Sequence, residues 1–91
     1  MRERLKLDRE PRKLRVESEP YVKYVGRAFV PALDVLEIKN EREYFIIISP
    51  QSISQPLKAW MDENDGTLMH LEFWINKASE DRFSQYELEL S

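Results

Sequence analysis

The chain of 91 residues has no cysteine, one histidine (His70) and two glycines, Gly26 and Gly66. The absence of cysteine excludes a disulfide scaffold and any cysteine-ligated zinc or iron–sulfur site. It also favours a reducing, cytoplasmic location. Neither a GxGxxG motif nor a P-loop is present. We therefore expect a non-enzymatic protein with no cofactor, no metal and no catalytic residue.

Long apolar runs are also missing. The longest, residues 44–48, is far too short to span a bilayer. Residues 1–7 are charged and lack the apolar core of a signal peptide. Hydrophobic residues make up 42% of the chain and charged residues 34%, which is the balance of a globular protein. We expect a single domain with no membrane partner.

The charge is unevenly distributed along the chain. Residues 1–30 carry a net charge of +4, residues 31–91 carry −7, and the whole chain carries −3. Such asymmetry predicts an interaction arm or an internal electrostatic complement. The pI of about 5.2 argues against a dedicated duplex-DNA binder, which is usually basic. A local basic groove remains compatible with this composition.

The order of segments predicts a charged arm followed by one β-rich domain. Residues 1–13 are charged and interrupted by Pro11, which predicts a flexible or partly helical arm ahead of a domain spanning 14–91. Alternating or β-prone residues predict strands at 14–16, 21–30, 33–39, 43–48, 68–77 and 86–90. Within the longest of these, Gly26 predicts a bulge or bend. His70 is expected on the polar face of its strand, as a surface residue.

One amphipathic helix is predicted between the fourth and fifth of these strands, over residues 52–64. Its apolar stripe follows the spacing i, i+4, i+7 and i+8, and consists of Ile53, Leu57, Trp60 and Met61. Either Ser52 with Gln55, or Ser49 followed by Pro50, fits the start of the helix. Gly66 fits the left-handed cap at its end.

The element order resembles that of the OB fold over residues 14–90. An OB fold is a five-stranded Greek-key barrel, and its helix lies between the third and fourth strands. The resemblance therefore implies a mainly β, α+β protein with a five-stranded antiparallel barrel or a curved sheet packed on one helix. An open α+β sheet, a roll, or a dimer sharing a sheet are the alternatives. Residues 49–57 and 81–88 are also similar in style to small prokaryotic and mobile-element proteins.

The OB resemblance implies a binding surface for single-stranded nucleic acid. Such surfaces use aromatic side chains to stack on bases and basic ones to contact phosphates. The candidate stacking residues are Tyr24, Trp74 and Phe83, and the candidate phosphate contacts are Lys23, Arg27, Arg42, Lys77 and Arg82. A wider list adds Tyr21, Phe29 and Lys39. Strand alternation places Trp74 opposite Phe73 and Ile75, so it is either exposed or covered by the helix, the arm or a partner.

Two functions follow from these observations. The first is a non-enzymatic domain that binds single-stranded nucleic acid or assists in nucleic-acid processing. The second is a protein–protein interaction or assembly module, for example a homodimer, without a nucleic-acid role. An exposed Trp74 and an unpaired sheet edge would suit the second function, as would docking of the basic arm on an acidic second subunit. Salt dependence separates the two, because phosphate binding weakens steeply with salt.

Overall fold

The computed structural model describes residues 2–81 and 84–90. Within these residues, seven strands and one helix follow one another along the chain. They are β1 (Glu3–Arg4), β2 (Arg12–Val16), β3 (Tyr21–Val25), β4 (Ala28–Glu37), β5 (Arg42–Ile47), α1 (Gln51–Glu63), β6 (Glu72–Lys77) and β7 (Tyr86–Leu90). The predicted α+β class, mainly β with one helix, is confirmed.

All seven strands belong to one sheet in the order β1-β5-β4-β2-β6-β7, with β3 pairing on β4. Every pairing is antiparallel except that of β1 with β5. The sheet is not closed into a barrel, and it has more than the five strands predicted. Within the described residues β5 and β7 do not pair with each other, because the segment around β1 occupies the side of β5 that faces away from β4.

Strand β4 is the longest and organises the sheet. One of its edges pairs with β5, while the other pairs first with β3 and then with β2. Residues 17–20 separate β2 from β3 and stand opposite only two residues of β4, Leu33 and Asp34. Asp34 fixes this bulge, since its carboxylate accepts a hydrogen bond from the Tyr21 hydroxyl at 2.6 Å and its backbone N–H donates to Ser18 Oγ at 3.0 Å. Burial and the bond to Asp34 raise the pKa of Tyr21 to about 12.

The predicted single strand over residues 21–30 is wrong, because β3 and β4 form a hairpin. Gly26 and Arg27 are the two turn residues between the paired Val25 and Ala28. Both turn residues have positive φ, 57° and 71°, as a type I′ turn requires at its two central positions. The second of these is not a glycine, so the turn holds an arginine in the left-handed region.

Helix α1 begins and ends one residue before the predicted bounds. Neither predicted N-terminal cap forms, since Pro50 is the N-cap residue and no side chain caps the helix there. Ser52 Oγ instead accepts a hydrogen bond of 3.1 Å from the backbone N–H of Tyr86, which ties the helix to β7. The predicted left-handed glycine is confirmed, because Gly66 has φ 77° and donates to the carbonyl of Met61 at 2.8 Å.

The core lies between the helix and one face of the sheet. It combines residues of β2, β4, β5 and β6 with two from the helix, and its fully buried members include Leu14, Val16, Leu33, Val35, Ile53, Leu57, Phe73 and Ile75. Strand β6 begins at Glu72 rather than at residue 68. The four residues before it form a turn in which Leu71 N–H donates to the Leu68 carbonyl at 3.1 Å, and His70 is exposed with φ 67°.

The predicted arm takes part in the fold without forming a helix among the residues described. Its strand β1 pairs with β5, Leu5 is buried in the core, and Arg12 already belongs to β2. Arg2 reaches across the sheet, where its Nε lies 3.3 Å from Asp34 Oδ2. Arg2, at the start of the chain, therefore contacts the acidic body of the same molecule.

Candidate nucleic-acid interface

The most exposed apolar surface lies on the β3–β4 hairpin. The core-facing side of β4 continues beyond the core, so Phe29 and Pro31 share a face with buried Leu33 but are exposed. Val22 and Tyr24 are their partners across the hairpin. The exposed fractions of Val22, Tyr24 and Phe29 are 70%, 61% and 74%. We call the surface formed by Val22, Tyr24, Phe29 and Pro31 the hairpin platform.

The two rings of the hairpin platform contact each other. The centroids of Tyr24 and Phe29 are 5.0 Å apart and their planes are inclined by 50°, a geometry within the favoured range for aromatic pairs. Residues 21–31 contain no carboxylate and two cations, Lys23 and Arg27. Arg27 is exposed at the turn and forms no ion pair with any described residue. The platform is therefore aromatic and accessible, on a hairpin that carries positive charge and no carboxylate.

Lys23 lies on the opposite face of the hairpin from Tyr24, because neighbouring residues of a strand point to opposite sides. Its Nζ stands 4.3 Å from the ring centroid of Phe45 on β5, within the distance at which a cation is attracted to a ring. Phe45 and Ala32 are buried but lie outside the main core cluster. The hairpin thus has two distinct faces, one aromatic and one carrying Lys23.

Trp74 is exposed on the outer face of β6, opposite Phe73 and Ile75 as alternation predicts. Its exposed fraction is 41%, and Lys13 Nζ lies 5.9 Å from its ring centroid. The cross-strand partner of Trp74 is Glu89. Glu87 lies beside it on β7, where it accepts a hydrogen bond of 3.0 Å from Asn76. The surroundings of Trp74 therefore contain one cation, Lys13, and two carboxylates.

The remaining predicted residues lie elsewhere. Arg42 begins β5 and pairs with Glu37 at the far end of β4. At a rise of about 3.3 Å per residue, that end lies about 30 Å along β4 from the turn that contains Arg27. Lys77 ends β6 and lines a cavity beside the segment that contains β1. Arg82 and Phe83 lie outside the described residues. The structure therefore brings Lys23, Tyr24 and Arg27 onto one hairpin but separates them from Arg42, Trp74 and Lys77.

A buried ion pair stabilises the end of β4 opposite the hairpin, and nothing in the sequence pattern predicted it. The exposed fraction of Glu37 is only 3%. Its carboxylate accepts hydrogen bonds from Arg12 Nη1 at 2.9 Å and from Asn40 Nδ2 at 3.0 Å. The hydrogen bond to Glu37 raises the pKa of Arg12 above its ordinary value. This pair anchors β2 to β4, which is a structural role.

Among residues 2–81 and 84–90, no three His, Cys, Asp or Glu side chains gather into a group that could hold a metal ion. The helix found in this part of the chain is too short and too polar to cross a membrane. Comparison with protein-family models, curated proteins and solved structures found no match to this chain.

The sequence predicts only half of the hairpin platform. It points to Tyr24 and, in the wider list, to Phe29, but it gives no reason to choose Val22 or Pro31. Their common face appears only when Gly26 and Arg27 are recognised as a two-residue turn between two alternating runs. A glycine flanked on both sides by β-prone residues is the signal that could have revealed it.

Proposed function

We propose that this protein is a non-enzymatic domain that binds single-stranded nucleic acid through the β3–β4 hairpin. The observation that carries the proposal is the contacting, exposed ring pair of Tyr24 and Phe29 on a hairpin without carboxylates. Bases stack on such rings whatever their sequence, with about 1–3 kcal/mol lost per base when the ring is removed. Arg27, at the tip, is placed to contact phosphates.

The strand pairings support an OB-like arrangement with one open seam. If β2 and β3 are counted as one interrupted first strand, then β4, β5, β6 and β7 are the second to fifth. The first pairs with the second and the fourth, the second with the third, and the fourth with the fifth. In OB folds the loop between strands 1 and 2 helps to bind oligonucleotides. Here that loop is the turn at Gly26 and Arg27.

The test is titration of a fluorescently labelled oligo-dT with the protein, followed by anisotropy. Replacing both rings, Tyr24→Leu with Phe29→Leu, keeps an apolar surface but removes stacking. We expect the Kd to rise about 5- to 150-fold for each base that loses its ring, the equivalent of 1–3 kcal/mol. Trp74→Leu is the matched control, because it removes an exposed aromatic from surroundings that contain carboxylates.

The outcomes are distinct. A strong loss of oligo-dT affinity in the double variant, with little change of affinity in Trp74→Leu, supports the hairpin as the stacking surface. An equal loss of oligo-dT affinity in both variants would contradict the assignment of base stacking to the hairpin. No binding of the wild type at low salt would reject the nucleic-acid function, since electrostatic attraction is then strongest.

A second candidate function is self-assembly through the same hairpin. Within the described residues the outer edge of β3 pairs with no strand, and an open edge can pair with a second copy. Exposed Val22 lies on that strand and is part of the apolar hairpin platform. Light scattering over a concentration series tests this function. A dimer mass that Val22→Lys abolishes would favour assembly, whereas a monomer at all concentrations would exclude it.

A further inference from the structure

The seam between β5 and the paired ends of β6 and β7 is occupied by residues 2–8. On one side, β1 pairs with β5 in parallel and the Leu5 N–H donates to the Phe45 carbonyl at 3.0 Å. On the other side, the Asp8 carbonyl accepts a hydrogen bond from the Lys77 N–H. Leu5 points into the core, where it is buried. The segment therefore bridges two parts of the sheet that do not pair directly.

A cavity of about 350 Å³ lies along this seam, a volume within the range of small-molecule sites. Three cations line it, Arg4 and Lys6 from the bridging segment and Lys77 from the end of β6. Tyr86 and the aliphatic side chains of Ile46 and Ile47 complete much of the wall. None of the residues that line this cavity is acidic.

The three cations of the seam differ from most other basic residues near the start of the chain. Arg2, Arg12, Lys13 and Arg15 each lie within 4 Å of a carboxylate. Within residues 2–81 and 84–90, Arg4, Lys6 and Lys77 have no carboxylate within that distance. Three uncompensated positive charges around one cavity repel one another, and an anion bound among them relieves that repulsion.

We infer that the seam is a second nucleic-acid contact, which binds the phosphodiester backbone of a single strand. The inference rests on the proposed function and adds a phosphate subsite to the stacking surface of the hairpin. Cations would contact phosphate, and the aliphatic wall with Tyr86 would lie against the sugar. This site was not part of the predicted surface, apart from Lys77.

Lys23 connects the two sites. Its ammonium lies over the ring of Phe45, and Phe45 is the register partner of Arg4. From β3 to β1 the path crosses three strand spacings of about 4.8 Å each. It also runs four residues along β4, from Val30 opposite Lys23 to Asp34 opposite Phe45, which makes a distance of roughly 20 Å. A strand whose bases stack on the hairpin platform therefore reaches the seam by passing over the outer edge of β3 and along Lys23 to Arg4.

The experiment compares two triple variants that lower the net charge equally. The seam variant is Arg4→Gln, Lys6→Gln and Lys77→Gln. The matched control is Arg9→Gln, Arg15→Gln and Lys58→Gln, which removes three cations that lie outside both the seam and the hairpin. Oligo-dT affinity is measured over a series of salt concentrations. Circular dichroism and thermal melting establish that both variants fold.

We expect the slope of log Kd against log salt to fall by about 2 in the seam variant. Each phosphate contact to a single strand contributes about 0.7 to that slope. The control should keep the wild-type slope. Should the seam triple fail to fold, the single variant Lys6→Glu serves in its place, because Lys6 is exposed and its reversal should weaken binding more than Lys58→Glu does.

The seam inference and the proposed function fail in different ways. If the wild type binds and loses affinity through Tyr24 and Phe29, but the seam variant keeps the wild-type slope, only the seam inference is overturned. If the wild type does not bind at low salt, the proposed function itself is rejected. Inorganic polyphosphate is a further probe. Competition with oligo-dT at equal phosphate concentration would overturn the assignment to nucleic acid, whereas weaker competition supports it.

Discussion

One face of β4 is buried at one end of the strand and exposed to solvent at the other. At the end that contains Leu33 and Val35, β5 and β2 flank the strand and the helix covers it, so both side chains are fully buried. At the end that contains Phe29 and Pro31, only β3 and the tip of β5 are adjacent, and the same face is open to solvent. Residue type does not separate the two ends, because both carry large apolar side chains.

This difference shows that burial depends on what covers a strand more than on its sequence. An exposed patch with two aromatic rings is a recognised mark of an interaction site. The covered end of β4 stabilises the domain and the open end presents a surface. Three pairs of substitutions test how far that division holds.

The largest expected effect comes from truncating matching positions of the two ends. Leu33→Ala should lower the free energy of unfolding by about 2–5 kcal/mol, because it removes buried methyl groups and leaves a cavity. Phe29→Ala should change it by less than about 0.5 kcal/mol, as exposed substitutions usually do. Urea denaturation followed by circular dichroism measures both. Comparable losses of unfolding free energy in the two variants would mean that Phe29 is buried in solution rather than exposed.

A smaller effect is expected from the ion pair at the covered end. Glu37→Ala leaves Arg12 without its main partner and should lower the free energy of unfolding by about 3 kcal/mol. This is the low end of the range for a broken buried pair, because Arg12 is partly exposed. Glu43→Ala on neighbouring β5 is the control, since the Glu43 side chain is 67% exposed and exposed pairs contribute about 1 kcal/mol or less. Equal losses in urea denaturation would refute a special role for Glu37.

The smallest effect concerns the turn at the open end. Arg27→Gly should raise the free energy of unfolding by up to about 1 kcal/mol, because glycine adopts positive φ without steric cost. Arg27→Ala removes the same charge but keeps a Cβ at φ 71°, so it should give no such gain. If thermal melts place the two variants at the same stability, the turn carries no strain.

The sequence predicted the elements that repeat a pattern within the segment itself. The apolar spacing of Ile53 and Leu57 located the helix to within one residue at each end. The alternation of residues 86–90 located the last strand, and alternation around Trp74 predicted its exposed face. Each of these predictions needs only local periodicity, which the chain displays directly.

The features that the sequence did not predict depend on contacts between distant residues. The hairpin turn requires a chain reversal at Gly26 and Arg27, whereas the β-prone residues on both sides of Gly26 favour one strand with a bend. The seam cations Arg4 and Lys6 lie in a segment without periodicity, so their positions follow only from the pairing of β1 with β5. The burial of Glu37 depends on Arg12, which is distant in sequence and pairs with the Glu37 carboxylate only because β2 lies beside β4.

The parallel pairing of β1 with β5 sets an order of events during synthesis. Glu3 pairs with Tyr44, so β1 leaves the ribosome about 40 residues before its partner does. At about 5–20 residues per second, β1 waits for roughly 2–8 seconds with its backbone unpaired and its cations accessible. During that interval the nascent chain presents its positive segment before most of its acidic body exists.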